Sequence, residues 1–225
     1  MNRLGAYQTG SGSGAIAPDG CAVDVYALLP PGREPQVIHG AIATGATILE
    51  LGAGAGRVTR PLLALGHPVV AVDESAEMLD RIRGAECVRA DITELDLGRR
   101  FGAVVLGSHL INAPDTQLRQ AFLRACARHV AADGVVLIEQ APLEFLNGLA
   151  PMRFEQDGLV TVFRNIRRPG PHRYGWTIDY RKGEHSWSQH VVVEPFDPAE
   201  LAGAGLCLGG YLTADRSWFS AVPQT

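Results

Sequence analysis

The chain has 225 residues, 46% of them apolar and 20% charged, with a formal net charge of −4. Its length suits one well-cored domain better than two. The acidic balance argues against a nucleic-acid partner, whose phosphates call for a concentrated basic face. No apolar run approaches the roughly 18 residues that span a bilayer, and no basic-then-apolar leader opens the chain. The expected setting is therefore cytoplasmic, with no membrane partner.

Residues 9–20 are rich in glycine and serine, which reads either as a disordered terminus or as a flexible flap over a pocket. Residues 22–29 carry enough apolar side chains for a short docking helix, stopped by Pro30-Pro31-Gly32. A sharp alternation then begins. Residues 47–51 form an apolar strand, followed by the glycine run Gly52-Ala53-Gly54-Ala55-Gly56 and a helix to about Leu65. Pro61 is expected to kink that helix by removing a backbone donor. Residues 68–73 make a second strand, and Ser75 caps a helix through Ile82. Further strands follow over 86–90, 102–106 and 134–139, with a helix over 115–130 before the last.

Strands that are apolar throughout, separated by helix-length segments, indicate a parallel sheet covered on both faces. The expected fold is α/β, doubly wound, with a mostly parallel seven-stranded, Rossmann-like sheet and extra antiparallel strands after the fifth. Beyond residue 150 the strands 158–164, 174–180 and 188–193 are joined by tight turns, which suggests antiparallel pairing. A helix over 198–204 and a strand pair, 206–212 and 217–222, close the chain. One domain is expected in four parts: a flap and docking helix over 1–40, a ligand-binding core over 41–141, an antiparallel insertion over 142–195, and closing elements over 196–225.

Ligands of open parallel sheets bind beyond the carboxyl ends of the strands, so the glycine run lies where a ligand belongs. Asp73 ends the second strand, where a carboxylate can accept both hydroxyls of a ribose. These two features suit a nicotinamide dinucleotide as well. However, the dinucleotide fingerprint needs a third small residue at position 57, and the chain has Arg57 there. Glu50 stands two residues before the first glycine, and a second acidic turn falls at Asp91. The absence of GK[ST] removes a P-loop.

The four cysteines, at 21, 87, 126 and 207, are too scattered for a zinc site and read as reduced thiols. His185 and His190, five apart on a strand, point to opposite faces, so no metal site is expected. Arg164, Arg167, Arg168 and Arg173 form either a solvated turn or a patch for an anionic substrate.

Residues 47–140 resemble the core of class I S-adenosylmethionine-dependent methyltransferases, in particular small bacterial enzymes acting on small molecules. The run from Ile48 to Thr59 matches that family's first motif, and the run from Val70 to Leu79 matches its second. The resemblance implies S-adenosylmethionine as cofactor, with S-adenosylhomocysteine as its product. It places Glu50, Gly52, Ala53, Gly54 and Gly56 against the methionine and ribose. Asp73 would hold the ribose, with Glu74 and Ser75 beside the nucleoside and Met78 against adenine. Asp91 and the Ile92 amide would meet the adenine edge, and Tyr26 would lie across the cofactor. Gly107 and Ser108 would face the methionine end. On the same loop, His109 is either a general base or a residue that bonds backbone or lines the pocket, and Asn112, Glu139 and Gln140 are candidates to orient an acceptor.

The implied reaction is methyl transfer to an O or N atom of a small molecule in bacterial secondary metabolism. The alternatives are a protein of the same fold that binds the cofactor without transferring methyl and, more distantly, a nicotinamide-dependent oxidoreductase. The inserted strands, with Phe145, Phe154, Phe163, Trp176 and Trp187, either bury their aromatics as a sheet core or wall the acceptor site. As a unit they also offer a face for a homodimer.

Overall fold

A computed structural model describes residue 5 and residues 7–224 of the chain; of the expected 1–40 flap, residues 1–4 and 6 lie outside the described residues. The central sheet has seven strands, in chain order β2 (Ile48–Leu51), β3 (Val69–Asp73), β4 (Glu86–Arg89), β5 (Phe101–Leu106), β6 (Val130–Glu139), β11 (Leu206–Tyr211) and β12 (Trp218–Pro223). Their spatial order is β11-β12-β6-β5-β2-β3-β4. The five strands from β4 to β6 run parallel, while β12 and β11 are antiparallel additions at one edge. This is the class I Rossmann-like arrangement that the sequence pattern predicts.

The apolar strands are explained by burial on both faces. Leu49, Leu51, Val104 and Leu106 pack to one side with α5 (Thr116–His129), through Leu118, Phe122 and Cys126. The alternate residues Ile48, Ala103 and Val105 pack to the other, with Ile38 of α2 (Glu34–Ala41) and Leu62 of α3 (Thr59–Ala64). Period-two alternation thus carries apolar side chains into two separate cores. Asp115 starts α5 by accepting from the Gln117 and Leu118 amides at 2.8 and 3.1 Å. The kink expected at Pro61 is not formed. The helix begins only at Thr59, so Pro61 sits in its first turn, where its missing N–H has no intrahelical acceptor to lose.

A second sheet of five antiparallel strands has the order β1-β10-β9-β8-β7. It is built from β7 (Met152–Gln156), β8 (Leu159–Gly170), β9 (Arg173–Lys182), β10 (His185–Val193) and β1 (Gln8–Gly12). The glycine- and serine-rich segment is therefore partly a strand, with Gln8 opposite Val191 and Gly12 opposite Trp187. Trp176, Tyr180 and Trp187 are buried in this sheet's own core, together with Ala22 and Val25 of α1 (Val23–Leu28) or its flank. Phe145 and Phe154 stay exposed.

The arginines of this region are engaged rather than free. Arg164 pairs with Asp179, Arg173 with Glu194, Arg167 with His190, and Arg168 lies over the Tyr174 ring. Buried Asn112 ties the two sheets. Its Oδ1 accepts from the Ala141 amide at 2.7 Å, and its Nδ2 donates to the Glu194 carbonyl at 2.8 Å. That role uses both ends of the amide and leaves none for a substrate.

Candidate active site

The chain order reverses at β2, with β3 and β4 on one side and β5 and β6 on the other. The crevice that forms at such a switch point opens beyond the carboxyl end of β2. The loop after β2 turns back through Gly52 (φ +72°) and Gly54 (φ +54°), in a region that side chains disfavour. A Cβ at Gly52 would stand 2.7 Å from Leu110 Cδ1.

Two cavities meet there. The first is lined by Glu50, Gly52, Gly54, Asp73, Gly107 and Ser108, among others. The second runs toward α5 between Glu74, Asp91, Ile92 and Phe122. Asp19, Gly52, Asp73 and Leu110 border both. Most of the expected cofactor residues are thus assembled around one continuous crevice. Tyr26, Ala53 and Met78 line its first half; Met78 therefore lies on the glycine-loop side rather than beside Asp91.

Two expected residues line neither cavity. Gly56 (φ +80°) faces Ile82, whose Cγ1 would lie 2.8 Å from an added Cβ. Ser75 is the N-cap of α4 (Ala76–Leu79), accepting from the Met78 amide at 3.2 Å and donating to Glu77 at 2.9 Å. Both shape the crevice by packing and capping.

Carboxylates dominate the electrostatics. Burial pushes the Glu50 carboxyl up to about 7, although a hydrogen bond from Thr59 Oγ1 at 2.6 Å and the nearby Arg57 charge pull the other way. Asp73 is also raised by burial, against the pull of the Ser75 and Gly54 amides that it accepts at 2.9 and 2.8 Å. Glu74 is raised to about 7 by partial burial and by the charges of Asp19, Asp91 and Asp73. The guanidinium lining the first cavity, Arg57, is held by Glu34 at 2.5 Å. This crevice favours a cationic ligand with hydroxyls to donate. Its first half offers no unpaired guanidinium to a pyrophosphate.

Several wall residues carry no local sequence signal. Asp19 accepts from the Cys21 amide and thiol at 3.0 and 3.1 Å, and buried Gln189 of β10 donates to the same sulfur at 3.2 Å. Tyr26 donates to the Gln189 carbonyl oxygen at 3.4 Å. These links seat residues 17–26 between the second sheet and the crevice.

His109 occupies a neighbouring place. Ser108 and His109 are both left-handed (φ +54° and +56°), a conformation that costs non-glycine residues on the order of 1–3 kcal/mol and clusters at functional sites. The imidazole lines a third cavity, with Glu34, Glu139, Trp218 and Phe145 in its wall, and its Nδ1 is buried without a hydrogen-bond partner among the described residues. Glu34, Glu139 and Trp218 border the first cavity too. Buried Gln140 also lines the third cavity, with its Nε2 donating to the Arg216 carbonyl at 2.8 Å.

Residues 48–134, which supply the glycine loop, Asp73, Asp91 and His109, match the family described as Methyltransferase domain. That match runs from the start of β2 into β6. The chain is 30% identical over 139 residues to a Streptomyces cypemycin N-terminal methyltransferase, a match spanning 56% of this chain and 57% of that protein. The chain thus spans little more than half the length of that relative. Among solved structures, the CcbJ methyltransferase from Streptomyces caelestis superposes with a TM-score of 0.72 at 19% identity, over 90% of this chain and 96% of that one. CalS10, a SAM-bound amino pentose methyltransferase from Micromonospora echinaspora, gives 0.66 at 22% identity over 91% and 93%. The matched residues include those that line the crevice at the carboxyl ends of β2 and β3.

Proposed function

We propose that this chain is an S-adenosylmethionine-dependent methyltransferase acting on an O or N atom of a small molecule in bacterial secondary metabolism. The carrying observation is the crevice formed by two cavities that meet at Gly52 and Asp73, lined mainly by carboxylates, with Arg57 beside the glycine loop already paired to Glu34. S-adenosylmethionine brings a sulfonium, an ammonium and a ribose diol, and each finds a complementary group. When bound it supplies an activated methyl group on a leaving group that departs as a neutral thioether.

In this reading Asp73 accepts from the ribose hydroxyls through lone pairs left after its two amide bonds. Glu50 and the amides of the glycine loop border the methionine end. Asp91 and the Ile92 amide read the adenine edge, and Glu74 lies beside the ribose. Tyr26 and Asp19 close the roof. Residues 142–195, joined by β1, shield the acceptor side from water. The chain's task is alignment and water exclusion, which carry most of the rate when the leaving group needs no help. His109 is the base for an acceptor that arrives protonated.

Calorimetric titration with S-adenosylhomocysteine and with NAD+ tests the cofactor. Binding of the former alone is expected; binding of NAD+ without the thioether overturns the assignment. Incubation of bacterial extract with methyl-labelled donor then tests transfer. Tight binding with no labelled product in any fraction would favour a non-methylating role.

A further inference from the structure

We infer that the third cavity receives the methyl acceptor as a cationic amine, that Glu139 holds its ammonium group, and that the methyl is delivered to nitrogen. The inference rests on the donor assignment above and adds the acceptor's chemical class.

The cavity reaches the donor crevice through a shared wall of Glu34, Glu139 and Trp218. A molecule seated in it therefore lies against the methionine end. Its other lining groups include Glu144 and Asp215, so four carboxylates face one guanidinium, that of Arg33. Arg33 is bound to Asp215, and Glu34 is bound to Arg57. Glu139 and Glu144 remain, with no ion-pair partner among the described residues. Glu139, which lines both cavities, is also fixed in place: its Oε2 accepts from the Ser108 amide at 2.7 Å.

A carboxylate or phenolate acceptor would enter against this field, whereas an ammonium would enter with it. The half-exposed Phe145 offers apolar surface beside the charges, so the amine is expected to carry a ring or alkyl body. His109 lies in the same cavity with an unpaired ring nitrogen. The ammonium gives one proton to the His109 imidazole, and the freed nitrogen lone pair forms the new N–C bond. The C–S bonding pair stays on sulfur as the neutral thioether, the product leaves as the methylated ammonium, and the imidazolium returns its proton to water.

The test uses the full chain saturated with S-adenosylhomocysteine and matched pairs of probes on three frames: 2-phenylethylamine against 2-phenylethanol, cyclohexylmethylamine against cyclohexylmethanol, and an amino sugar against its parent sugar. Calorimetry should give at least about tenfold tighter binding of the amine on one frame or more, as expected for a charge-assisted contact. Glu139→Gln should reduce that preference to about threefold or less, and Glu144→Gln at the exposed rim, which no fold depends on, should reduce it in part. Equal binding within every pair, no binding on any frame, or an amine preference untouched by both variants would overturn the inference. Failure of S-adenosylhomocysteine itself to bind would instead overturn the donor assignment beneath it.

Discussion

Replacing Glu50 by glutamine removes a titrating proton while keeping the side chain's shape. Glu50 is 5% exposed, and the acceptor of the Thr59 hydroxyl bond survives as the amide oxygen. Burial carries the Glu50 carboxyl from its ordinary 4.5 to about 7. At about 1.4 kcal/mol per pH unit, that difference is about 3 kcal/mol. The folded state binds the proton more tightly than the unfolded chain does. The stability this group contributes is full below about pH 4.5 and is lost as pH rises through about 7. Glutamine has no proton to lose.

Urea denaturation of ligand-free protein at pH 5 and pH 8 reads the effect directly. The parent should lose about 2.5 kcal/mol more than Glu50→Gln between the two pH values, and the variant should be the more stable at pH 8. Glu74 and Asp73 titrate in both proteins and cancel in the difference. The same substitution should weaken binding of the cationic donor more than that of its neutral thioether product. Equal pH dependence in parent and variant would refute the account of Glu50 as a carboxyl whose proton is held more tightly because it is buried.

Asp73→Ala should weaken S-adenosylhomocysteine by roughly tenfold to a hundredfold, through loss of a charged acceptor for the ribose; calorimetry giving unchanged affinity would remove that role. His109→Ala should leave the dissociation constant of S-adenosylhomocysteine within about twofold while cutting turnover by roughly a hundredfold, and full turnover would take His109 out of the chemistry. Arg119 is 5% exposed, paired with Glu200 at 2.8 Å and donating to the Ala113 carbonyl at 2.7 Å. Arg119→Ala should cost about 3–5 kcal/mol in denaturant unfolding because it strands buried carboxylate and carbonyl groups, and a loss below about 1 kcal/mol would contradict that reading.

The parallel core was legible because β2, β3 and β5 are buried on both faces and so read as unbroken apolar runs. Asp73 and Asp91 were legible because strand ends and caps have local residue preferences. Other features depend on partners remote in sequence. Residues 8–12 look like a linker, yet β10 supplies the hydrogen bonds that make them a strand. Pro61 reads as a kink only if the helix starts earlier than it does. Asn112 looks like a pocket polar residue, but its amide joins Ala141 to Glu194. Asp19, Glu34 and Trp218 reach the site from distant parts of the chain, and no spacing rule announces them. Gly56 and Ser75 belong to the motif that carries the resemblance, but their contacts are with Ile82, Glu77 and the α4 backbone.

The pairing of β1 with β10 also sets an order of events during synthesis. Gln8 must wait for Val191, so a strand made early stays unpaired until nearly all of β10 has left the ribosome. Contacts this far apart in sequence form slowly, because loop closure precedes any gain from the pairing. The parallel strands from β2 to β6 can be assembled well before then. The roof over the crevice, held through Cys21 and Gln189, is consequently among the last parts to close. A nascent chain stalled short of residue 185 would carry an open crevice, and polar residues at β1 keep that waiting edge soluble.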